Sequence, residues 1–192
     1  MAEQARTATA ERDRSAEPVG SPGASAGGLT TPRLDRPYLP EGYEIPKDAE
    51  GMLPWETTRG MLAETRTYWV GTTRPDGRPH AVPIWGAWVD ETLYFEGGAD
   101  TRRGRNLAAN PAVVVHAERG DEVVILEGAA EAVARPYPGL AARLAAAFAA
   151  KYPGYAPEPT SWDGGGLYAV RPRVAFAWGA FPRDATRYTF GP

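Results

Sequence analysis

Sizeable apolar side chains are almost absent from residues 1–33, where only Met1, Val19 and Leu29 interrupt Ala, Gly, Ser, Thr, Pro and mixed charges. Such a segment buries too little apolar surface to offset the entropy of ordering it, so 1–33 is expected to be a disordered tail. Over 34–53, Leu34, Tyr38, Leu39, Tyr43 and Ile45 stand among prolines, which predicts an extended N-terminal arm lying on a domain surface. Regular patterning begins at Pro54. A proline suits a first helical turn, and Trp55, Met61 and Leu62, with Leu53 just ahead, give an apolar face to a helix of about three turns ending near Thr65.

The period then changes. Tyr68–Thr73, His80–Val89 and Thr92–Glu96 are rich in β-branched and aromatic residues and are separated by Pro75-Asp76-Gly77 and Asp90-Glu91, which predicts a three-strand meander. Thr101–Asn110, ended by Pro111, reads as a short helix weakened by Gly104. Ala112–Ala117 and Glu122–Val133 form a hairpin across Arg119-Gly120-Asp121, and their apolar runs predict strands buried on much of both faces. Leu140, Leu144 and Phe148 recur every four residues in an alanine-rich helix ending near Tyr152, before strands at Leu167–Trp178 and Thr186–Phe190. The strand-to-strand turns are too short for parallel crossovers. The expected fold is therefore mainly β, an antiparallel barrel with peripheral helices spanning 54–192.

Composition narrows the function. A net charge of −3 gives no general attraction to nucleic acid or to an anionic membrane, so any anion site must be local. No cysteine is present, which removes disulfides, thiolate nucleophiles and Cys-ligated metal and fits a reducing compartment such as the cytoplasm. No apolar run approaches the length of a membrane-spanning helix. The two histidines, His80 and His116, have no acidic neighbours at metal-ligand spacing, so no metal site is expected. P-loop, G-x-G-x-x-G and G-x-S-x-G patterns are absent too.

Two segments carry candidate chemistry. Gly97-Gly98-Ala99-Asp100 leads into Thr101-Arg102-Arg103-Gly104-Arg105-Asn106, placing small residues and a hydroxyl before three arginines at a helix start. Free N–H groups and the helix dipole favour an anion there, and guanidinium forks match phosphate oxygens. The same pattern serves a solvated basic turn with Thr101 as an ordinary helix cap, and local chemistry leaves both readings open. In His80–Trp88, Pro83 cannot donate to a strand ladder, so its position must face a sheet edge or bulge. A planar heteroaromatic ring could pair with the open backbone there while Trp85 supplies a flat wall; alternatively Trp85 or Trp88 is simply core.

Taken together, Tyr68–Thr73, Asp76-Gly77-Arg78-Pro79-His80, Val82-Pro83-Ile84-Trp85, Leu93-Tyr94-Phe95 and Thr101–Pro111 resemble the flavin/deazaflavin split-barrel oxidoreductases, the superfamily of pyridoxamine-phosphate oxidase. Val82-Pro83-Ile84-Trp85, Arg105-Asn106-Leu107 and Thr186-Arg187-Tyr188 look closest to its actinobacterial branch that binds the deazaflavin coenzyme F420. The resemblance implies a homodimer of six-stranded split β-barrels with cofactor sites at the interface. It implies that Thr101, Arg102, Arg103 and Asn106 surround the cofactor phosphate, Gly97 admits close backbone approach, and Pro83, Ile84 and Trp85 lie along the ring. It further implies hydride transfer from reduced F420 to an unsaturated small molecule, with FMN as the alternative cofactor and a non-catalytic flavin or haem binder, with His80 as axial ligand, as the alternative role. Arg103 stands where that branch commonly has lysine. The substrate-holding motifs of true pyridoxamine-phosphate oxidases are not matched, so vitamin B6 oxidation is not expected.

Overall fold

A computed structural model describes residues 31–117 and 119–191; all but the last three residues of the expected tail lie outside the described part. In chain order it contains β1 (Arg33–Asp35), α1 (Trp55–Glu64), β2 (Tyr68–Thr73), β3 (Pro79–Ile84), β4 (Gly86–Val89), β5 (Thr92–Glu96), α2 (Arg102–Ala109), β6 (Ala112–Ala117), β7 (Val123–Val133), α3 (Pro138–Lys151), β8 (Leu167–Trp178) and β9 (Thr186–Thr189). All pairings are antiparallel, and the main path runs β1-β9-β8-β7-β6-β2-β3. β4 pairs with β5, and β5 joins β8. One edge of β8 is thus divided, with Leu167–Val170 against β5 and Val174–Ala177 against β9. This is the mainly β, helix-flanked architecture expected from the pattern.

The sheet has nine strands rather than six. The expected strand over His80–Val89 is broken at Trp85, because β3 is hydrogen-bonded to β2 while β4 turns to pair with β5. The added β1 is three residues long, starts at Arg33 and lies on β9, with Leu34 opposite Tyr188. The Arg36 guanidinium then fastens the following arm, donating to the carbonyls of Asp48 (2.9 Å), Arg183 (2.8 Å) and Ala185 (3.1 Å).

Two apolar clusters lie on opposite faces of β5. Leu93 and Phe95 point into the barrel with Tyr68, Val70, Val115, Leu126, Val170 and Tyr188, whereas Tyr94 faces Leu144, Phe148, Tyr152 and Trp162 under α3. The period-2 alternation of a strand makes this division. β6 departs from its expected double burial: Val113, Val115 and Ala117 are inside, but Ala112, Val114 and His116 are exposed. Val114 keeps 39% of its surface in water. The β2–β6 pairing sets Trp69 opposite His116, their rings stacked with centroids 6.4 Å apart, and the apolar outer row runs on through Pro83 on β3, Ile125 on β7 and Phe176 on β8.

Candidate cofactor site

α2 begins as its sequence predicts and for a visible reason. The Thr101 hydroxyl accepts from the Gly104 N–H (3.0 Å) and donates to the Gly98 carbonyl (2.7 Å), so it caps the helix and ties it to the loop before it. Gly104 is what allows that approach: a β-carbon there would lie 2.5 Å from the Gly98 oxygen and 2.7 Å from the Ala99 oxygen. The first helical hydrogen bond is Arg105 N–H to Thr101 O (3.0 Å), leaving the N–H groups of Arg102 and Arg103 ahead of it.

Of the two adjacent arginines, Arg102 is exposed and Arg103 turns inward. The Arg103 guanidinium lies over the Phe95 ring (5.0 Å) and donates through Nη2 to the Glu96 carbonyl (2.8 Å). It fills the space where a side chain on Gly97 would sit. Gly97 therefore admits an arginine rather than bare backbone contact. Burial lowers the Arg103 pKa, which marks a cation short of solvation. Among the described residues, no ion pair involves Arg103, and its buried Nε–H has no acceptor.

Arg74, at the end of β2, shares this feature: its Nε–H is also buried without an acceptor. Arg74 was not singled out from the sequence; its place directly before a Pro-Asp-Gly turn was the available signal. His80 sits among the same cations, and its pKa is lowered by burial first and then by Arg74, Arg102 and Arg103. Asp76 is committed elsewhere, bound by Arg78 through Nε (3.0 Å) and Nη2 (2.6 Å). Three arginines thus converge with two unsatisfied guanidinium N–H groups, an arrangement suited to phosphate oxygens.

Asn106 is placed differently from the other expected phosphate contacts. Only 2% exposed, it donates through Nδ2 to Thr72 Oγ1 (2.9 Å) and clamps α2 onto β2. Pro83 is exposed on β3, which ends the strand path with one edge unpaired, as a residue without an N–H requires. Ile84 is buried in the barrel core. Trp85, 46% exposed, stacks flat on Tyr152 (4.5 Å, 10°), and Tyr155 leans on it at 5.9 Å. Trp88 instead packs edge-on against Trp55.

The aromatic wall and the arginines are joined through Glu96. Its carboxylate accepts from the Tyr155 hydroxyl (2.7 Å) and the Trp162 indole N–H (2.6 Å), while its carbonyl holds Arg103. Burial, then the Glu96 contact, pushes the Tyr155 phenol up to about 12. The loop carrying Tyr155 and Trp162 has no motif of its own, so its part in the site is visible only in three dimensions.

The family described as pyridoxamine 5'-phosphate oxidase matches residues 55–179, well over half of the chain. The chain belongs to this family. The match begins at the first residue of α1 and ends just past β8, so it contains every group described above. No curated protein matches. Among solved structures, a conserved hypothetical protein from Mycobacterium tuberculosis is 24% identical with a TM-score of 0.55, over 68% of this chain and 88% of that one. An F420 reductase is 27% identical with a TM-score of 0.48, over 71% and 98%. A heme binding protein from Mycobacterium smegmatis is 22% identical with a TM-score of 0.52, over 70% and 57%. The first and third of these share the split-barrel fold of the pyridoxamine 5'-phosphate oxidase family with the present chain.

Proposed function

We propose that this pyridoxamine 5'-phosphate oxidase family member is a cytoplasmic oxidoreductase that holds coenzyme F420 and, with the cofactor reduced, delivers hydride to an unsaturated small molecule. The observation that carries the reading is the pair of buried, acceptor-less guanidinium N–H groups on Arg103 and Arg74 beside a capped helix start. The motifs at Val82–Trp85, Arg105–Leu107 and Thr186–Tyr188 favour the deazaflavin over FMN. Bound F420 would supply the hydride chemistry itself. Arg103, Arg102 and Arg74 would neutralise its phosphate, the α2 N–H groups would add to that field, and the unpaired edge of β3 would offer backbone groups to the ring. Trp85, backed by Tyr152, would give the ring a flat apolar neighbour and exclude water.

The active form in this proposal is a homodimer. The row Pro83, Trp69, His116, Ile125 and Phe176 presents apolar and aromatic surface across five strands, and a second copy of the same antiparallel face is its occupant. Such a partner explains why β6 is apolar on both faces.

Fluorescence titration with F420 tests the assignment. Saturable binding at micromolar concentration is expected, weakened about 10- to 100-fold in Arg103→Ala, the range for losing one charge-assisted contact. Wild-type behaviour of Arg103→Ala, or no saturable change, refutes it. A yellow preparation that releases FMN on denaturation would move the assignment to FMN at the same arginines.

A further inference from the structure

His80 has no place in the phosphate contacts proposed above, yet Arg74, Arg102 and Arg103 all act on it electrostatically. It lies opposite Thr72 in the β2–β3 register, and Thr72 Oγ1 is 3.4 Å from its Nδ1 and 3.3 Å from its carbonyl oxygen. Thr72 in turn accepts from Asn106 Nδ2 (2.9 Å), and both Thr72 and Asn106 are buried. A hydroxyl has one proton and two lone pairs. Asn106 occupies one lone pair, which leaves the proton and the second lone pair for His80. When the imidazole is neutral, the Thr72 proton turns to Nδ1, and Nε2 carries the ring hydrogen. When the imidazole is protonated, Nδ1–H donates to Thr72, whose own proton turns to the His80 carbonyl. The Asn106–Thr72 pair therefore accommodates both charge states without leaving a buried polar atom unmatched.

We infer that His80 is a proton-coupled fourth member of the anion site, presenting Nε2–H to the bound phosphate and taking up a proton from solvent as the anion enters. The inference rests on the phosphate reading of the arginine cluster. The charged groups around His80 are Arg74, just past the end of β2, and Arg102 and Arg103 on α2; Asp76 in the β2–β3 turn, bound to Arg78, lies near Arg74 and Arg102. Burial first, and then their positive field, holds the imidazole pKa below the ordinary 6.5. A phosphate placed among them offsets much of that field. Binding then raises the pKa, so affinity increases as pH falls through the bound-state pKa and levels off below the free-state one, which lies under 6.5, by up to about tenfold for each unit that binding adds.

The chain has two histidines, so both ring titrations can be followed by NMR with and without pyrophosphate. Pyrophosphate should raise the His80 midpoint by about one unit. Calorimetry of F420 binding in buffers of different ionisation heat should show fractional proton uptake near pH 6.5 in the wild type and none in His80→Gln. Thr72→Val should shift the His80 midpoint in the free protein. A His80 midpoint that stays put while F420 binds overturns this inference alone. Pyrophosphate moving His80 while neither F420 nor FMN binds keeps the proton-coupled site and overturns the cofactor assignment. An unmoved His80 with no ligand bound overturns both.

Discussion

Gly104→Ala sets local preference against tertiary contact, and the two predict opposite signs. In a helix interior, alanine is favoured over glycine by about 1 kcal/mol. At this position the new methyl would meet the Gly98 oxygen at 2.5 Å, the Ala99 oxygen at 2.7 Å and the Ala99 α-carbon at 2.8 Å. All three are main-chain atoms, so no rotamer change makes room. Either α2 and the 97–100 loop separate, losing the Thr101 cap and its bond to Gly98, or the overlap is retained as strain. Overpacking of this kind costs about 1–3 kcal/mol and a lost cap about 0.5–2 kcal/mol. After the propensity gain, retained overlap leaves a net loss of up to about 2 kcal/mol, read as a lower urea midpoint at unchanged m-value. A midpoint raised by the full propensity gain of about 1 kcal/mol would refute the packing argument. Gly97→Ala is the matched contrast. The methyl there meets the Arg103 guanidinium, the far end of a flexible side chain, so the arginine should move aside. Stability should change by less than about 1 kcal/mol while phosphate-ligand affinity falls by about tenfold or more.

Trp69→Glu, on a side chain 38% exposed within the single chain, should leave far-ultraviolet dichroism intact and convert a dimer to a monomer in light scattering; an unchanged mass would exclude this face as the interface. Glu96→Gln should cost about 1–3 kcal/mol through its two aromatic donors and lower the Tyr155 phenol below its present value of about 12, while burial keeps it above 10.0, as ultraviolet difference titration would record. Because the folded phenol ionises later than the unfolded one, its stabilisation is full below pH 10 and is lost as pH rises toward 12. Arg36→Met should cost about 1–2 kcal/mol and open the 36–53 arm to limited proteolysis; an equally resistant arm would show that the carbonyl contacts do not hold it.

The long elements were legible because their patterns are redundant. Leu167–Trp178 matches β8 to the residue, and Leu140, Leu144 and Phe148 define the buried stripe of α3. The break at Trp85 was not legible, since nothing local distinguishes it from the rest of an apolar run and it arises from a change of partner strand. β1 was missed because three residues, two of them charged, acquire strand geometry only from β9. At the site, the Thr101 cap follows from short-range spacing, whereas the inward turn of Arg103 onto Phe95 comes from tertiary packing. Glu96 meets Tyr155 and Trp162 across 59 and 66 positions, a distance at which no spacing rule operates. Asn106 illustrates the converse. The family resemblance sets it at the cofactor phosphate, and in the single chain its amide is engaged with Thr72.

The divided edge of β8 also orders events during synthesis. β5 finds its second neighbour only at Leu167–Val170, and β1 finds any neighbour only at Arg187–Thr189. On the ribosome, the hairpins made first must therefore wait with unpaired edges until nearly the whole chain has emerged. Pairing between residues so distant in sequence slows folding and exposes strand edges to other nascent chains. The stretch most in need of a chaperone is thus the early apolar strand set, and release from it should coincide with the appearance of β8 and β9.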